Sequence, residues 1–421
     1  MDSVYLSRAN IIKDQIEELS QFSDETRHIS RLFGTAASRK CAQKIKELME
    51  NAGLLTEIDL LGSVHGRIES KTKNAKTFVI ASHYDTVIDA GKWDGSLGIV
   101  CGIDVAANLI NQNYDLPFNL EVIAFSEEEG IRFAEPYLAS KYATGKGEDR
   151  MLDLLDDSGA TLKEILSQIS EGQEIKIETE QLKNWIGYLE IHIEQGPVLY
   201  EKNIPVSSVI GIAGQKRITI QFTGVSGHAG TVPMQMRSDA LCAASEFVLE
   251  VENYALHEKR NIIGTVGILD VENSAMNVIP GKVFCSLDIR SSDYNDLNKA
   301  YETLSKACEE ICRKRNVYPE WKLILDAPPI LCDSLLTEIL QESLKENSIE
   351  AINLVSGAGH DAVVVSKVAP VSMLFVKCYK GISHNPLENV EIMDIAAALE
   401  TTDTFMINLA ERWKNNKSFK K

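Results

Sequence analysis

The sequence predicts an α/β protein with a largely parallel sheet, interrupted by a smaller inserted α+β domain. Three observations carry that expectation. Short apolar runs ("TFVIAS", "LEVIAF", "YLEIHI") alternate with helical stretches in the first half of the chain, the order of strands and crossovers that builds a parallel sheet. From about residue 211 the strands instead alternate apolar and polar residues, as strands with one solvated face do. The length of 421 residues exceeds the roughly 250–300 residues that one ordinary core supports.

Taken in chain order, residues 38–53 place Ala42, Ile45, Leu48 and Met49 on one side of a helix that stops at Asn51-Ala52-Gly53. The three apolar runs follow as buried strands, with helices over 97–112 and 161–170. Past residue 211, "KRITIQFTGVSGHAG" reads as a half-exposed strand and "DALCAASEFVLEVENYALHEK" as a helix. "IGTVGILDVE" and "KVFCSLDIRSS" read as two further strands, and 295–315 as a second helix. This β-α-β-β-α order suits a compact inserted module. The two prolines of "DAPPILCDS" mark its exit, after which a helix over 334–346 and the strand "VSMLFVKC" return to the first style. The expected organisation is a discontinuous domain, 1–210 with 329–421, around an insert of 211–328, with hinges near 211 and 328. The tail "KNNKSFKK" reads as a frayed basic end.

Composition removes several classes of function. Hydrophobic residues make up 44% and charged residues 25%, the profile of a globular protein. A formal charge of −18 argues against a nucleic-acid partner, which needs a basic surface. No run approaches the roughly 20 apolar residues of a membrane helix, and "MDSVYLSRANIIKDQ" lacks the basic flank and apolar stretch of a signal peptide. The eight cysteines form no CxxC pair; Cys308 and Cys312 share one helix face and read as core residues. A reduced, cytoplasmic setting is the expectation.

The chemistry gathers where strands end, which is where ligands bind in open α/β sheets. His83, Glu128, Glu129 and His192 all fall there. In "ASHYDTVIDAGKWDG", Asp85 follows His83 by two residues and so shares its strand face. Its carboxylate is placed to orient the imidazole as a metal ligand, or to serve an Asx-type turn. "FSEEEG" offers three adjacent acids: one reading is a solvated helix start favoured by the macrodipole, the other a metal-binding carboxylate beside a free proton shuttle. "IHIEQG" puts His192, Glu194 and Gly196 on one side of a regular strand, and "GISHNP" puts His384 in a loop. Each histidine alone reads equally well as a capping or turn residue. "GAGHD" matches neither GxxxxGK[ST] nor GxGxxG, so it is no phosphate cradle. GxSxG and HExxH are also missing, so a metal site would be assembled from distant segments.

Seven stretches, in order from about residue 80 to 390, resemble one family: "SHYDTVIDAGKWDGSLG", "FSEEEGIRF", "LEIHIEQGPVL", "GHAGTVPMQMRSDAL", "NVIPGKVFCSLDIR", "SGAGHDA" and "GISHNPLE". The family is that of the aminoacylase/carboxypeptidase-like dinuclear metallohydrolases, in its amidase, hydantoinase and carbamoylase branch. The resemblance implies two divalent ions bridged by Asp94, with His83, Glu129, His192 and His384 as terminal ligands; histidine and carboxylate ligands suit manganese or zinc, with cobalt or nickel as further options. It implies Glu128 as general base and Asp85 as the orienting carboxylate. His228 would donate to the oxyanion in the other subunit's site, which makes the working form a homodimer and the insert its lid and dimerisation domain. Gln195, Asn277, Arg290 and Gly359 would line the substrate pocket. For Arg290, a strand-end salt bridge with Asp288 or Asp293 is the structural alternative. The segment "AGQKR" is similar to that of allantoate amidohydrolases, with Gln215 offering its amide to a second ureido group. The implied substrate is therefore a small anionic ureido compound: allantoate, or else an N-carbamoyl-L-amino acid or N-carbamoyl-β-alanine.

Overall fold

The computed structural model describes residues 3–169, 184–258 and 262–415. The final stretch of the basic tail, 416–421, lies outside these residues. The chain divides into two compact units, one of Met1–Ile210, Cys332–Leu354 and Gly359–Lys421, the other of Gly211–Leu331 and Val355–Ala358.

In the first unit, the sheet contains Leu55–Ile58, Val64–Ile68, Asn119–Phe125, Thr77–His83, Trp185–Ile193, Val371–Val376 and Val206–Ile212, in that spatial order. The four middle strands are parallel, and the flanking pairs are antiparallel. The parallel part is the one expected from the apolar runs. Each of its strands is buried almost end to end, which is why these segments read as continuous apolar runs. Running parallel, they bring their carboxyl ends to a single edge, and His83, the acidic triplet, His192 and the His384 loop all follow from those ends.

The helices expected at 38–53, 97–112, 161–170 and 334–346 are found as Ala36–Asn51, Ser96–Asn111, Leu162–Ile169 and Ser334–Glu346. Two long helices lie beyond those expectations. Ser3–Ser20 buries only the narrow stripe Ala9, Ile12, Ile16 and Leu19. Ile392–Asn415 is buried on nearly every side, Thr401, Thr402 and Asp403 included, so it has no single apolar face to detect. A partly buried guanidinium ties these two to Ser96–Asn111: Arg8 Nε donates to Asp104 at 2.8 Å, and Arg8 Nη1 to Asp403 at 2.5 Å. The helix Ser96–Asn111 lies close on the sheet because Gly98 has no side chain; a Cβ there would collide with the Ile191 carbonyl and come within 2.8 Å of Ser82 Cβ.

The second unit is a separate antiparallel sheet, ordered Leu269–Val271, Lys282–Ser291, Gly214–Thr223 and Tyr318–Ala327, with Ile263–Thr265 also paired to Lys282–Ser291. Alternate residues are buried, Ile218, Ile220 and Phe222 on one strand and Val283, Cys285, Leu287 and Ile289 on the next. They form one core with helices Ala240–His257 and Tyr294–Arg315. Each helix is N-capped by an aspartate, Asp239 and Asp293. "IGTVGILDVE" does not form one strand: it breaks into two short pieces around Gly267. The strand Tyr318–Ala327 is a further addition to the expected set; most of its residues are exposed or half-buried, so it lacks a clean alternation. Cys285, Cys308 and Cys312 are all buried in this core.

Replacing Gly98 by alanine forces helix and strand apart. The expected cost is about 1–3 kcal/mol, read as an earlier first transition in a urea titration; an unchanged midpoint would show that the contact relaxes freely.

Candidate metal centre

The site is built on the carboxyl ends of the four parallel strands. His83 is the last residue of its strand and His192 the second-last of its own; both are 1% exposed. Each ring is oriented from behind. His83 Nδ1 lies 3.1 Å from the Asp85 carbonyl and His192 Nδ1 3.0 Å from the Ile193 carbonyl. A neutral ring donating Nδ1–H to a carbonyl turns its Nε2 lone pair outward. The two Nε2 atoms face each other at 3.3 Å, and Asp94 Oδ1 lies 3.0 Å from that of His192 and 3.4 Å from that of His83.

The other Asp94 oxygen faces a different set. Oδ2 lies 3.4 Å from His384 Nε2, which in turn is 3.6 Å from Glu129 Oε1. Three overlapping groups of donor atoms result: His83, Asp94 and His192; His83, Glu128 and Glu129; and Asp94, Glu129 and His384. One carboxylate thus offers one oxygen to each of two pockets.

Electrostatics show that these residues fit cations. Burial, together with neighbouring Asp94, Asp85 and Glu388, pushes Glu129 up to about 8, with His83 opposing. Burial also holds Glu128 well above the usual carboxylate range; His83 opposes it, while Glu129, Asp361 and Asp85 reinforce it. Burial disfavours the charged rings of His83 and His192, yet Asp85 and Asp94 outweigh it at His83, and Asp94 with Glu190 at His192, raising both. The pocket therefore demands positive charge. Two protonated rings would aim N–H groups at each other across 3.3 Å, whereas a cation among the lone pairs meets the same demand without that clash. Asp94 Oδ1, buried and with no hydrogen-bond donor of its own, points into this place.

The Asp85 side chain differs in emphasis from the expectation. Its carboxylate is 3.4 Å from His83 Nδ1, and its shorter bonds go to backbone: Glu128 N–H donates to it at 3.0 and 3.1 Å, and Glu129 N–H at 3.1 Å. One aspartate thus fixes the main chain of both neighbouring acids. The acidic triplet heads no helix, and Glu127 and Glu128 are buried, which removes the reading as a solvated helix start. The strand "YLEIHI" ends at Ile193, and Glu194 leaves the expected face to accept the N–H groups of Val198 and Leu199.

Gln195 and Gly359 belong to the same unit as the centre. Gln195, with a left-handed φ of 55°, donates Nε2–H to Asp94 Oδ2 at 2.8 Å. Gly359 is packed under the Tyr137 hydroxyl, where a Cβ would collide. The remaining residues expected to line a substrate pocket lie in the second unit. Gln215 donates to Asp288, and Arg290 grips the same carboxylate in a fork of 2.9 and 3.1 Å, the salt bridge that was the alternative for it. Arg290 and Asp288, with Ile218, Ile263 and Ile324, line a largely apolar cavity of about 630 Å³. His228 and Asn277 do not line this cavity but are neighbours of each other: the strand residues His228 and Val278 pair, and Ala229 N–H donates to the Asn277 carbonyl. His228 is exposed, and its Nδ1 accepts the Gly230 N–H at 3.0 Å.

Sequence reasoning assigned no role to Ser383, Glu388, Glu190, His360 or Asp361. His360 packs edge-on against His192 at 4.6 Å, and Glu190 accepts the Tyr188 hydroxyl at 2.9 Å and the Ala362 N–H at 3.0 Å. The usable signal was position: each lies within a few residues of a candidate ligand or motif glycine. Among the described residues, no helix is long and apolar enough to cross a membrane.

Comparison with known proteins agrees with this geometry. The family model described as "Peptidase family M20/M25/M40" matches residues 79–408. Allantoate deiminase 1 of Glycine max is 38% identical, over 95% of this chain and 90% of its own. N-carbamoyl-L-amino-acid amidohydrolase of Pseudomonas sp. (strain NS671) is 34% identical, over 92% and 94%. A crystal structure of an amidase of the hydantoinase/carbamoylase family from Burkholderia multivorans superposes with a TM-score of 0.89 at 29% identity, over 96% of this chain and 98% of that one. With parallel strand ends converging on a carboxylate shared between two donor sets, and a match running through every motif that supplies it, this chain belongs to peptidase family M20/M25/M40.

Proposed function

We propose that the chain is a two-metal amidohydrolase of ureido compounds, converting allantoate to ammonia, carbon dioxide and ureidoglycine. The observation that carries this reading is the division of Asp94, one oxygen toward His83 and His192 and the other toward His384, with the buried Glu128 grouped with His83 and Glu129. The names of the relatives choose the substrate class. His83, Asp94 and His192 would hold one ion, and Asp94, Glu129 and His384 the other. Bound divalent ions supply Lewis acidity and a water of lowered pKa. Imidazole and carboxylate donors suit manganese or zinc, and also cobalt or nickel.

The chain's own residues do the rest. Glu128 takes the proton of the attacking water and returns it to the departing nitrogen. Asp85, through the Glu128 and Glu129 N–H groups, keeps base and ligand in register. Negative charge developing on the carbonyl oxygen needs a donor. His228 suits that role, since with Nδ1 accepting from Gly230 its neutral ring carries the proton on Nε2. We assign His228 to the site of the other subunit, so the functional form is a homodimer and the second unit its lid and dimerisation domain. Arg290, on release from Asp288, takes the substrate carboxylate, Asn277 and Gln195 add neutral hydrogen bonds, and Gly359, against which the Tyr137 hydroxyl packs, lines the pocket.

One observation favours the second reading, hydrolysis of N-carbamoyl amino acids. Gln215, the residue meant for a second ureido group, is engaged with Asp288. Ammonia release from allantoate, N-carbamoyl-L-amino acids and N-carbamoyl-β-alanine, by stripped protein resupplied with manganese, separates the two. Release chiefly from allantoate is expected, and release chiefly from carbamoyl amino acids would transfer the assignment. Glu128→Gln should lower kcat by about 10²–10⁴-fold with metal content unchanged; retained turnover would remove Glu128 from the base role. Mixing His228→Ala with His384→Ala should restore part of the activity each lacks, because a mixed dimer contains one intact composite site. No recovery in verified mixed dimers would place His228 in its own subunit's site or outside the chemistry.

A further inference from the structure

The loop that carries His384 leads to Glu388. This carboxylate is only 4% exposed, and among the described residues it has no lysine or arginine partner. Its donors are neutral. Oε1 accepts two backbone N–H groups, from Trp93 at 2.8 Å and from Asp94 at 2.9 Å. Oε2 lies 3.2 Å from the Ser383 hydroxyl, which also reaches Asp94 Oδ2 at 2.8 Å. Gln195 Nε2 completes the ring, at 2.8 Å from Asp94 Oδ2 and 3.2 Å from Ser383 Oγ. Glu388 is also wedged against Gly91, where any Cβ would collide with it.

We propose that Glu388 is the positioning residue of one ion position only, the one formed by Asp94, Glu129 and His384. The inference rests on the two-metal reading above. The two positions are supported differently. On the Oδ1 side, His83 and His192 are fixed by strand ends and by carbonyl acceptors behind each ring. On the Oδ2 side, His384 sits in a loop with a half-exposed side chain. Its φ is 52°, and Lys380 and Gly381 before it are left-handed too, at 53° and 70°. No strand holds this loop to Asp94. The Glu388 carboxylate does so twice, by gripping the main chain of Asp94 and by meeting Ser383, the residue directly before His384. Its buried negative charge also adds attraction for a cation close by. Removing it loosens Ser383 and the His384 loop, while the carbonyl acceptors behind the His83 and His192 rings stay in place.

The test is a calorimetric titration of Mn²⁺ into the stripped full-length chain, with circular dichroism as the check on folding. Wild type should show two binding events. In Glu388→Ala the strand-end event should stay within about threefold and the other weaken by about 10–100-fold, the usual effect of removing a group that orients a ligand. Glu388→Gln keeps an acceptor for the two N–H groups and should fall between. Ser383→Ala should weaken the same single event, and it carries the test with Glu388→Gln if the alanine variant does not fold. Two wild-type binding constants in all folded variants, or equal weakening of both events, would overturn the proposal. Fewer than two ions on wild type would overturn it together with the two-metal reading. The titration uses no substrate, so a wrong ureido assignment would show in ammonia release and leave these constants standing.

Discussion

Everything in the first unit depends on how one carboxylate is divided. Asp94 is 4% exposed and faces three imidazoles, two from one oxygen and one from the other. A carboxylate so placed has surrendered its water and needs positive charge on both sides. Burial works against its ionised form, and the His192 and His83 interactions outweigh burial, holding it well below the usual carboxylate range. The parallel sheet, the orienting carbonyls and the packing of Gly98 all serve to keep those rings within reach of Oδ1.

The surrounding acids turn that local need into a property of the whole pocket. Glu127, Glu128, Glu129, Asp85, Asp361 and Glu388 crowd the same edge, and each of the glutamates is raised chiefly by burial. Such a collection is costly when uncompensated, and two of its members, Asp85 and Glu388, are held by backbone donors, with no lysine or arginine partner among the described residues. The Glu128, Glu129, Trp93 and Asp94 N–H groups do that work. Neutral donors hold these two acids in place without pairing them with a side-chain cation.

The chain's letters disclosed the strand-end candidate donors because two simple regularities coincide there. Continuous apolar runs identified the parallel strands, and a histidine or acid directly after such a run has few places to go. His83, Glu129 and His192 stand out in this way, whereas Asp94 and His384, several residues beyond their strands, entered the set through the resemblance of the ordered motifs. Elements lacking a regularity stayed hidden. The helix Ile392–Asn415 is buried all round, and Tyr318–Ala327 is a strand with little burial. Glu388 went unnoticed because its partners are backbone N–H groups nearly three hundred positions away in the chain, a pairing that no local spacing records. The contact of Asp288 with Gln215 is similar, since it comes from the register of adjacent strands, whereas the Arg290–Asp288 pair, two residues apart on one strand, is legible from local spacing.

The sheet of the first unit also sets a schedule for synthesis. Trp185–Ile193 pairs in parallel with Val371–Val376, and the whole second unit is encoded between them. While the ribosome is making that insert, Trp185–Ile193 waits with one side of its backbone unmatched, the kind of open edge that invites association between nascent chains. The insert has a core of its own, so it can fold during the delay without borrowing that edge. His384 emerges after Val376, so the last ligand is delivered only once the edge has its partner. A chain cut short before Val371 has an open sheet and an incomplete centre together, and completeness of the polypeptide becomes a precondition of metal retention.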